Sequence, residues 1–367
     1  MDGVPPFPPA RSASTPGRGA PSNLTPLRFN LHERVADPDW LDEREGIDGA
    51  PSKPRTTVTA DHARTIINRI TSPDLPIEQS INMYRGCEHG CIYCYARPSH
   101  ARYDLSPGLD FETKLFAKPD AANLLRAELA RPTYTMRPIA IGTNTDPYQP
   151  IERDWRLTRA IIEVLAETGH PLFITTKSDR IVRDIDLLAD MARRRLVHVI
   201  ISVTSLDSAM ARKLEPRAPH PAKRLAAIAA LAKAGVPTQV NVAPIIPAIT
   251  DHEIEHIIAE AAQAGACRAG YTIIRLPHEV APLLREWLSL HFPDRADKVM
   301  NIIRDLRGGR DYDPRYFHRM HGQGIWGDLI RTRFRRACAI YGLNHRGSDL
   351  DLAAFVPPSA NGQMRLL

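Results

Sequence analysis

The chain has 367 residues, 43% of them hydrophobic, enough for one large domain or two ordinary ones with a sizeable core. No apolar run reaches the 18 residues that argue for a membrane span, and five cysteines, three of them clustered, exclude a disulfide framework and imply a reducing, cytoplasmic compartment. A net charge of +6 permits a polyanionic partner without requiring one.

Residues 1–57 are rich in Pro, Gly, Ser and Arg, with seven prolines in the first 30, so a disordered or loosely attached N-terminal extension is expected. Its opening lacks a basic stretch followed by an apolar one, so no secretory signal is expected. The acidic run Asp37 to Asp48 contains Trp40, a candidate docking point. From Thr59 a short helix is expected, capped by Thr59 or Asp61, with Ala63, Ile66, Ile67 and Ile70 on its apolar side. Pro73 and Pro76 end it. Ile77 to Tyr84 alternates as a strand that feeds a loop, and such a loop sits at the carboxyl end of a sheet.

That loop holds Cys87, Cys91 and Cys94 in a C-x3-C-x2-C spacing. Three thiolates from one short segment suit a metal centre that keeps one position open. A buried cysteine stripe on a helix would share this spacing, but Gly86 and Gly90 weaken a helix there, and Glu88 and His89 break the apolar pattern. Structural zinc, with His89 or His100 as fourth ligand, is a second reading. A four-iron cluster on three thiolates is the third. The spacing, with an aromatic before the last cysteine, resembles the signature of the radical S-adenosylmethionine (radical SAM) superfamily. The longer string Arg85-Gly-Cys-x-His-Gly-Cys-x-Tyr-Cys-Tyr95 is similar to the branch that includes spore photoproduct lyase. The resemblance implies a [4Fe-4S] cluster on Cys87, Cys91 and Cys94 whose free iron chelates SAM. It further implies reductive cleavage of SAM to a 5′-deoxyadenosyl radical that abstracts hydrogen from a substrate, and a reductant such as flavodoxin or ferredoxin. Tyr93 and Tyr95 match a tyrosine pair of the lyase and are candidate hydrogen-atom relays, or packing for the cluster.

Beyond the loop, strands and helices alternate. Helices are expected over 121–130, 155–168, 181–194, 221–234, 252–264 and 279–290, and strands over 138–142, 171–176, 197–203, 238–243 and 271–275. Counted from Ile77, six strands are each followed by a helical segment, which gives an α/β fold with a parallel sheet and outer helices. Six units fit the partial (β/α)6 TIM-type barrel that the resemblance implies, over residues 58–294. A closed eight-unit barrel would need two more. The strand ends carry small polar residues. Thr143, Asn144, Thr145 and Asp146, in Gly142-Thr-Asn-Thr-Asp-Pro-Tyr-Gln-Pro150, offer acceptors for an ammonium group, and the resemblance assigns them to the SAM amino group. It assigns the SAM carboxylate to Lys177 and the ribose to Ser202. Val242 and Ala243 form a small apolar end suited to adenine. Lys114 and Lys118 are expected near the mouth.

The lyase's hydrogen-returning cysteine has no counterpart in Ile141 to Thr145. Cys267 and Cys338 are expected to be buried. Residues 295–367 form a basic, mainly helical extension, with 353–367 as a tail. Between Arg304 and Arg336, nine arginines stand against four aspartates, interleaved with Tyr312, Tyr316, Phe317, Trp326 and Phe334. The pattern suits nucleic-acid binding through arginines such as Arg331, Arg333 and Arg335, and equally a helical cap on the barrel. The leading reading is a radical SAM enzyme acting on a large or nucleotide-like substrate, with damaged or modified nucleic acid in view. The alternative is a non-enzymatic zinc- or iron–sulfur-containing nucleic-acid-binding protein.

Overall fold

The computed structural model describes residues 15, 17–24, 55–344 and 350–358. The expectations for Trp40, the acidic run and the last nine residues fall outside them.

The strands are β1 (Thr57–Ala60), β2 (Ile67–Arg69), β3 (Gln79–Ile81), β4 (Tyr84–Arg85), β5 (Lys114–Ala117), β6 (Ile139–Ile141), β7 (Leu172–Thr176), β8 (Val197–Val203), β9 (Thr238–Ile245) and β10 (Arg268–Ile273). The α-helices are α1 (Leu109–Thr113), α2 (Ala121–Leu129), α3 (Glu152–Trp155), α4 (Leu157–Glu167), α5 (Ile185–Arg193), α6 (Ser208–Leu214), α7 (Pro221–Lys233), α8 (Ile254–Gln263), α9 (Val280–His291), α10 (Ala296–Leu306) and α11 (Gly324–Ile340).

One sheet runs β10-β9-β8-β7-β6-β3-β2. The six strands from β3 to β10 pair in parallel, and β2 adds antiparallel to the β3 edge. Each parallel strand is followed by helix, so the architecture is a partial TIM-type barrel with a C-terminal helical extension. The reason is burial on both faces. Ile139, Ile141, Leu172, Ile174, Val199 and Ile201 are closed to solvent between the barrel interior and the helices, and parallel strands covered in this way read as apolar runs. Helix α4 meets them with Leu157, Ile161, Ile162 and Leu165, all buried. Each such side chain contributes about 1.5–3 kcal/mol by leaving water.

Three local expectations are corrected. Residues 59–70 hold the end of β1, a loop and β2, not a helix. The run Thr57-Val-Thr favours a strand, and β5 and β3 supply the backbone partners. The strand expected over 77–84 splits: β4 leaves the large sheet and joins a small one, β1-β5-β4. Helix α6 was unexpected. Asp207 caps it, accepting from Ala209 N at 2.7 Å and Met210 N at 3.2 Å.

Both terminal segments carry docked pieces. Gly19 and Ala20 lie against the cysteine loop, with Ala20 buried. Residues 350–358 return to the barrel: Val356 N donates to Thr168 O at 2.9 Å, and Phe355 packs edge-on to His170 at 5.1 Å. In the C-terminal extension, most arginines meet carboxylates or carbonyls. Arg333 reaches Glu255 of α8 at 2.6 Å, Arg331 pairs with Asp328 at 2.7 Å, and buried Arg307 donates to Ile274 O at 2.8 Å and His318 O at 2.8 Å. This region caps the barrel, and Arg335 and Arg336 remain exposed. Among the described residues, no helix is long and apolar enough to cross a membrane.

Candidate active site

The cysteine loop follows β4 at the carboxyl side of the sheet. Gly86 and Gly90 adopt φ of +73° and +67°. A side chain at Gly90 would stand 2.8 Å from Glu112 Oε2, and one at Gly86 would stand 2.8 Å from Phe111 O, so both positions require glycine on two counts.

Arg97 fixes the loop from inside. Its side chain is closed to solvent, and its guanidinium donates to Cys91 O (2.9 Å), Gly90 O (3.3 Å), Pro107 O (3.1 Å), Gly108 O (2.9 Å) and Glu112 Oε1 (2.5 Å). Every N–H of the fork is used. Glu112, also closed, accepts in addition from Gly19 N at 3.0 Å and Ala20 N at 2.8 Å. Gln149 grips the other side of Cys87, accepting from Glu88 N at 3.0 Å and donating to Gly86 O at 3.2 Å.

A cavity of about 850 Å³ opens beneath the loop at the strand ends. Cys91, Cys94, Tyr93, Tyr95, Thr143, Asn144, Lys177, Ser202 and Ala243 all border it. Cys87 packs behind, against Ala96 and Phe111. Val242 points the other way, into the core, because β9 alternates there and its neighbours Asn241 and Ala243 border the cavity. Thr145 and Asp146 are not among the lining residues either. Thr145 Oγ1 donates to Tyr84 O at 3.3 Å. Asp146 clasps the end of β7, accepting from Thr176 Oγ1 at 2.6 Å and Lys177 N at 2.7 Å. Burial would raise its pKa, but the His89 ring 3.4 Å away and these donors outweigh that and hold it well below the usual carboxylate range. Thr143 and Asn144 are held by Asn82, which accepts from Asn144 N at 3.1 Å. Lys114 is exposed and pairs with Asp110 at 3.1 Å, while buried Lys118 lines the cavity and donates to Asn82 O at 2.9 Å.

Both tyrosine hydroxyls are engaged. Tyr95 donates to Thr143 O. Tyr93 donates to Glu215, with Thr204 Oγ1 3.1 Å away. Burial, then Cys91 and Glu215, push the Tyr93 hydroxyl far up, so it stays protonated. Glu215 is itself fully buried against Arg224. Burial opposes its charge, but Arg224 and Lys177 prevail and push its pKa down to about 2. Lys177 lies over the Tyr93 ring, with its Nζ 5.7 Å from the centroid. Burial would lower its pKa, but Cys91 and Glu215 push it up to about 12.

All five cysteines are free thiols. Cys267, expected to be buried, is exposed ahead of β10, at the opposite end of that strand from the cavity, and Cys338 is buried in α11. Among the described residues, no group of three or more His, Cys, Asp or Glu side chains is arranged as a ready metal cage. The donor chemistry nevertheless fits a thiolate-bound cluster. Burial pushes the Cys87 thiol up and the Cys91 thiol up to about 12, so both carry protons as they stand, and a metal would bind them as thiolates by displacing those protons.

Residues 81–261 match the family model of the radical SAM superfamily. An uncharacterized protein of Mycobacterium bovis is 36% identical over 303 residues, covering 81% of this chain and 85% of that protein. The chain belongs to the radical SAM superfamily. A radical SAM Nα-GlyT isomerase of Pseudomonas phage M6 is 24% identical over 225 residues, covering 61% of this chain and 45% of the isomerase. In fold, this radical SAM protein is similar to spore photoproduct lyase complexed with dinucleoside spore photoproduct, with a TM-score of 0.55, 16% identity, and 86% and 93% of the two chains covered.

Sequence reasoning missed Arg97, Gln149, Glu215, Asn82, Asn241 and Arg275. Asn241 was signalled by the alternation of Gln239, Asn241 and Ala243 with Val240 and Val242. Arg275 was signalled by its place at the end of the strand expected over 271–275, and the others had no local signal.

Two outcomes are expected. Arg97→Met strands the buried Glu112 carboxylate and lowers unfolding free energy by about 3–5 kcal/mol, measured by urea denaturation; a loss under about 1 kcal/mol would show that the pair is not structural. Glu215 is held below its ordinary 4.5 in the folded state. Its contribution is therefore complete above that pH and is lost as pH falls toward about 2. Glu215→Gln should flatten the acid limb of stability in urea midpoints taken across this range, and an unchanged limb would count against the charged pair.

Proposed function

We propose that this protein is a radical SAM enzyme that holds a [4Fe-4S] cluster on Cys87, Cys91 and Cys94 and binds S-adenosylmethionine in the cavity beside it. The observation that carries the reading is the convergence of Cys91, Cys94, Lys177, Ser202 and Thr143 on one cavity at the strand ends of a barrel with the family's match. When bound, the reduced cluster would supply the electron that cleaves SAM to a 5′-deoxyadenosyl radical.

The chain's own residues have separate tasks. Lys177, kept cationic, would meet the SAM carboxylate. Thr143 and Asn144 face the cavity and would take the amino group. Thr145 and Asp146, assigned to the same group by resemblance, would act through the backbone: Asp146 fixes the turn that presents Lys177. Ser202 and its neighbour across the ladder, Asn241, would take the ribose hydroxyls. Ala243 would meet the adenine, with Val242 as its support in the core. Tyr93 and Tyr95 would keep the cavity wall in place, and any hydrogen-atom relay through them would have to displace the bonds to Glu215 and Thr143 O. The loop's burial would exclude water from the reacting radical. A low-potential reductant of the flavodoxin or ferredoxin type would supply the electron. The substrate would be large or nucleotide-like, nucleic acid included.

Anaerobic reconstitution tests the reading. The wild type should bind four irons, change its EPR signal on adding SAM and form 5′-deoxyadenosine. Cys87→Ala, Cys91→Ala and Cys94→Ala should each lose the cluster; a full four-iron centre in all three would remove these ligands from consideration. A colourless protein with one zinc would replace the enzyme with a binding protein. Lys177→Ala should weaken SAM binding by tenfold or more, as expected for a charge-assisted contact, with iron content unchanged. Equal SAM affinity in that variant would move the carboxylate elsewhere.

A further inference from the structure

The charge lining the cavity is one-sided. Arg85, Arg102, Lys118, Lys177, Arg275 and Arg319 border it, and no Asp or Glu is among the described lining residues. Two of these cations form ion pairs with carboxylates. Arg85 Nε is 2.7 Å from Asp61, and Arg319 grips Asp74 through two bonds of 2.6 and 2.7 Å. Arg275 has none. Its Nη2 donates to Tyr312 OH at 3.2 Å, its Nη1 touches Met320 Sδ at 3.7 Å, and its Nε is buried without a partner. A guanidinium that borders a cavity without a carboxylate partner suits an anion with several oxygens.

Two flat surfaces accompany it. Arg275 lies 5.0 Å from the ring centre of Tyr95, and Arg85 lies 5.0 Å from that of Tyr103. These tyrosines are 45% and 40% exposed, and both border the cavity. Cations and partly exposed aromatic side chains that border one cavity suit a ligand that carries a phosphate and a planar base.

We propose that the outer part of the cavity is a nucleotide subsite, in which Arg275 receives the phosphate and Tyr95 and Tyr103 offer stacking faces to the base. Arg102, exposed at the rim, adds charge. The subsite gives the substrate its class, a phosphate ester of a nucleoside, and rests on the reading that SAM occupies the inner part beside Lys177. It also moves phosphate recognition away from α11, where Arg331 and Arg333 already hold carboxylates. A free nucleotide and a nucleotide within a strand present the same chemistry.

The test is binding to the reconstituted full chain with SAM saturating, which fills the adenosine-binding part. The probes are the four deoxynucleoside 5′-monophosphates, the matching nucleosides, and a random 12-residue single-stranded DNA. At least one monophosphate or the DNA should bind, with the nucleosides tenfold or more weaker, the loss expected for a charge-assisted hydrogen bond. Arg275→Gln should remove that difference, and Arg275→Lys should restore part of it. Arg336→Gln, on the exposed face of α11, should bind as wild type does. DNA binding tighter and more salt-sensitive than any monophosphate would identify a strand as the source, and equal binding a free nucleotide. Nucleosides binding as well as monophosphates, absence of all binding, or unchanged affinity in Arg275→Gln would overturn the proposal. The first two comparisons use only the wild type, so a misfolded variant does not shield it. A SAM-dependent EPR change without phosphate preference would sink the subsite alone. Phosphate preference without any SAM response would sink the enzyme reading and leave the anion site standing.

Discussion

The buried pair of Arg97 and Glu112 is the constraint on which the rest of the site depends. The loop's own turn bonds, from Gly90 N to Cys87 O, Cys94 N to Cys91 O and Arg97 N to Cys94 O, reach only neighbouring residues, and its carbonyls keep further acceptor capacity. Arg97 answers them with one planar fork that satisfies Cys91 and Gly90 and two carbonyls from the far side of the turn. A charge so placed is tolerable only with a counter-charge, and Glu112 supplies it. The cysteines are thus carried by a rigid platform, although the segment containing them has no regular secondary structure.

The segment from Gly142 to Glu152 ties this platform to the barrel. Asp146 fixes the end of β7, Gln149 brackets Cys87, and Glu152 accepts from the Tyr84 hydroxyl and from Thr158 N at 3.1 Å. Its polar residues divide into those that reach the cavity, Thr143 and Asn144, and those that fix backbone. The carboxylates act behind the cavity wall and the cations along it, which leaves a positive field inside.

The six-strand frame was legible in the sequence because strands buried on both faces read as mainly apolar runs, as Val197 to Val203 does around His198 and Ser202. Strand order then implied that Lys177, Ser202 and Ala243 would face a common space. The period of two in β9 also carried the information that Val242 and Ala243 point to opposite sides. The spacing of Ala63, Ile66, Ile67 and Ile70 misled, because a helical period arose by chance across a turn between two short strands. Arg97, Gln149 and Glu215 were not legible for a different reason. Their roles are defined by partners such as Tyr93, 122 positions from Glu215, and Glu88, 61 positions from Gln149, and no local pattern encodes such pairings. The arginine-rich tail was ambiguous because sequence shows the cations and hides which carboxylates fold against them.

The seating of Gly19 on Gly90 has a consequence for where this domain begins. The family match starts at residue 81, yet two of the hydrogen bonds that saturate Glu112 come from the backbone of residues 19 and 20. The recognisable core and the cooperative folding unit therefore have different edges. A fragment trimmed to the former would open one side of the cysteine loop to solvent, and any instability it showed would be a fault of the cut and not of the full chain.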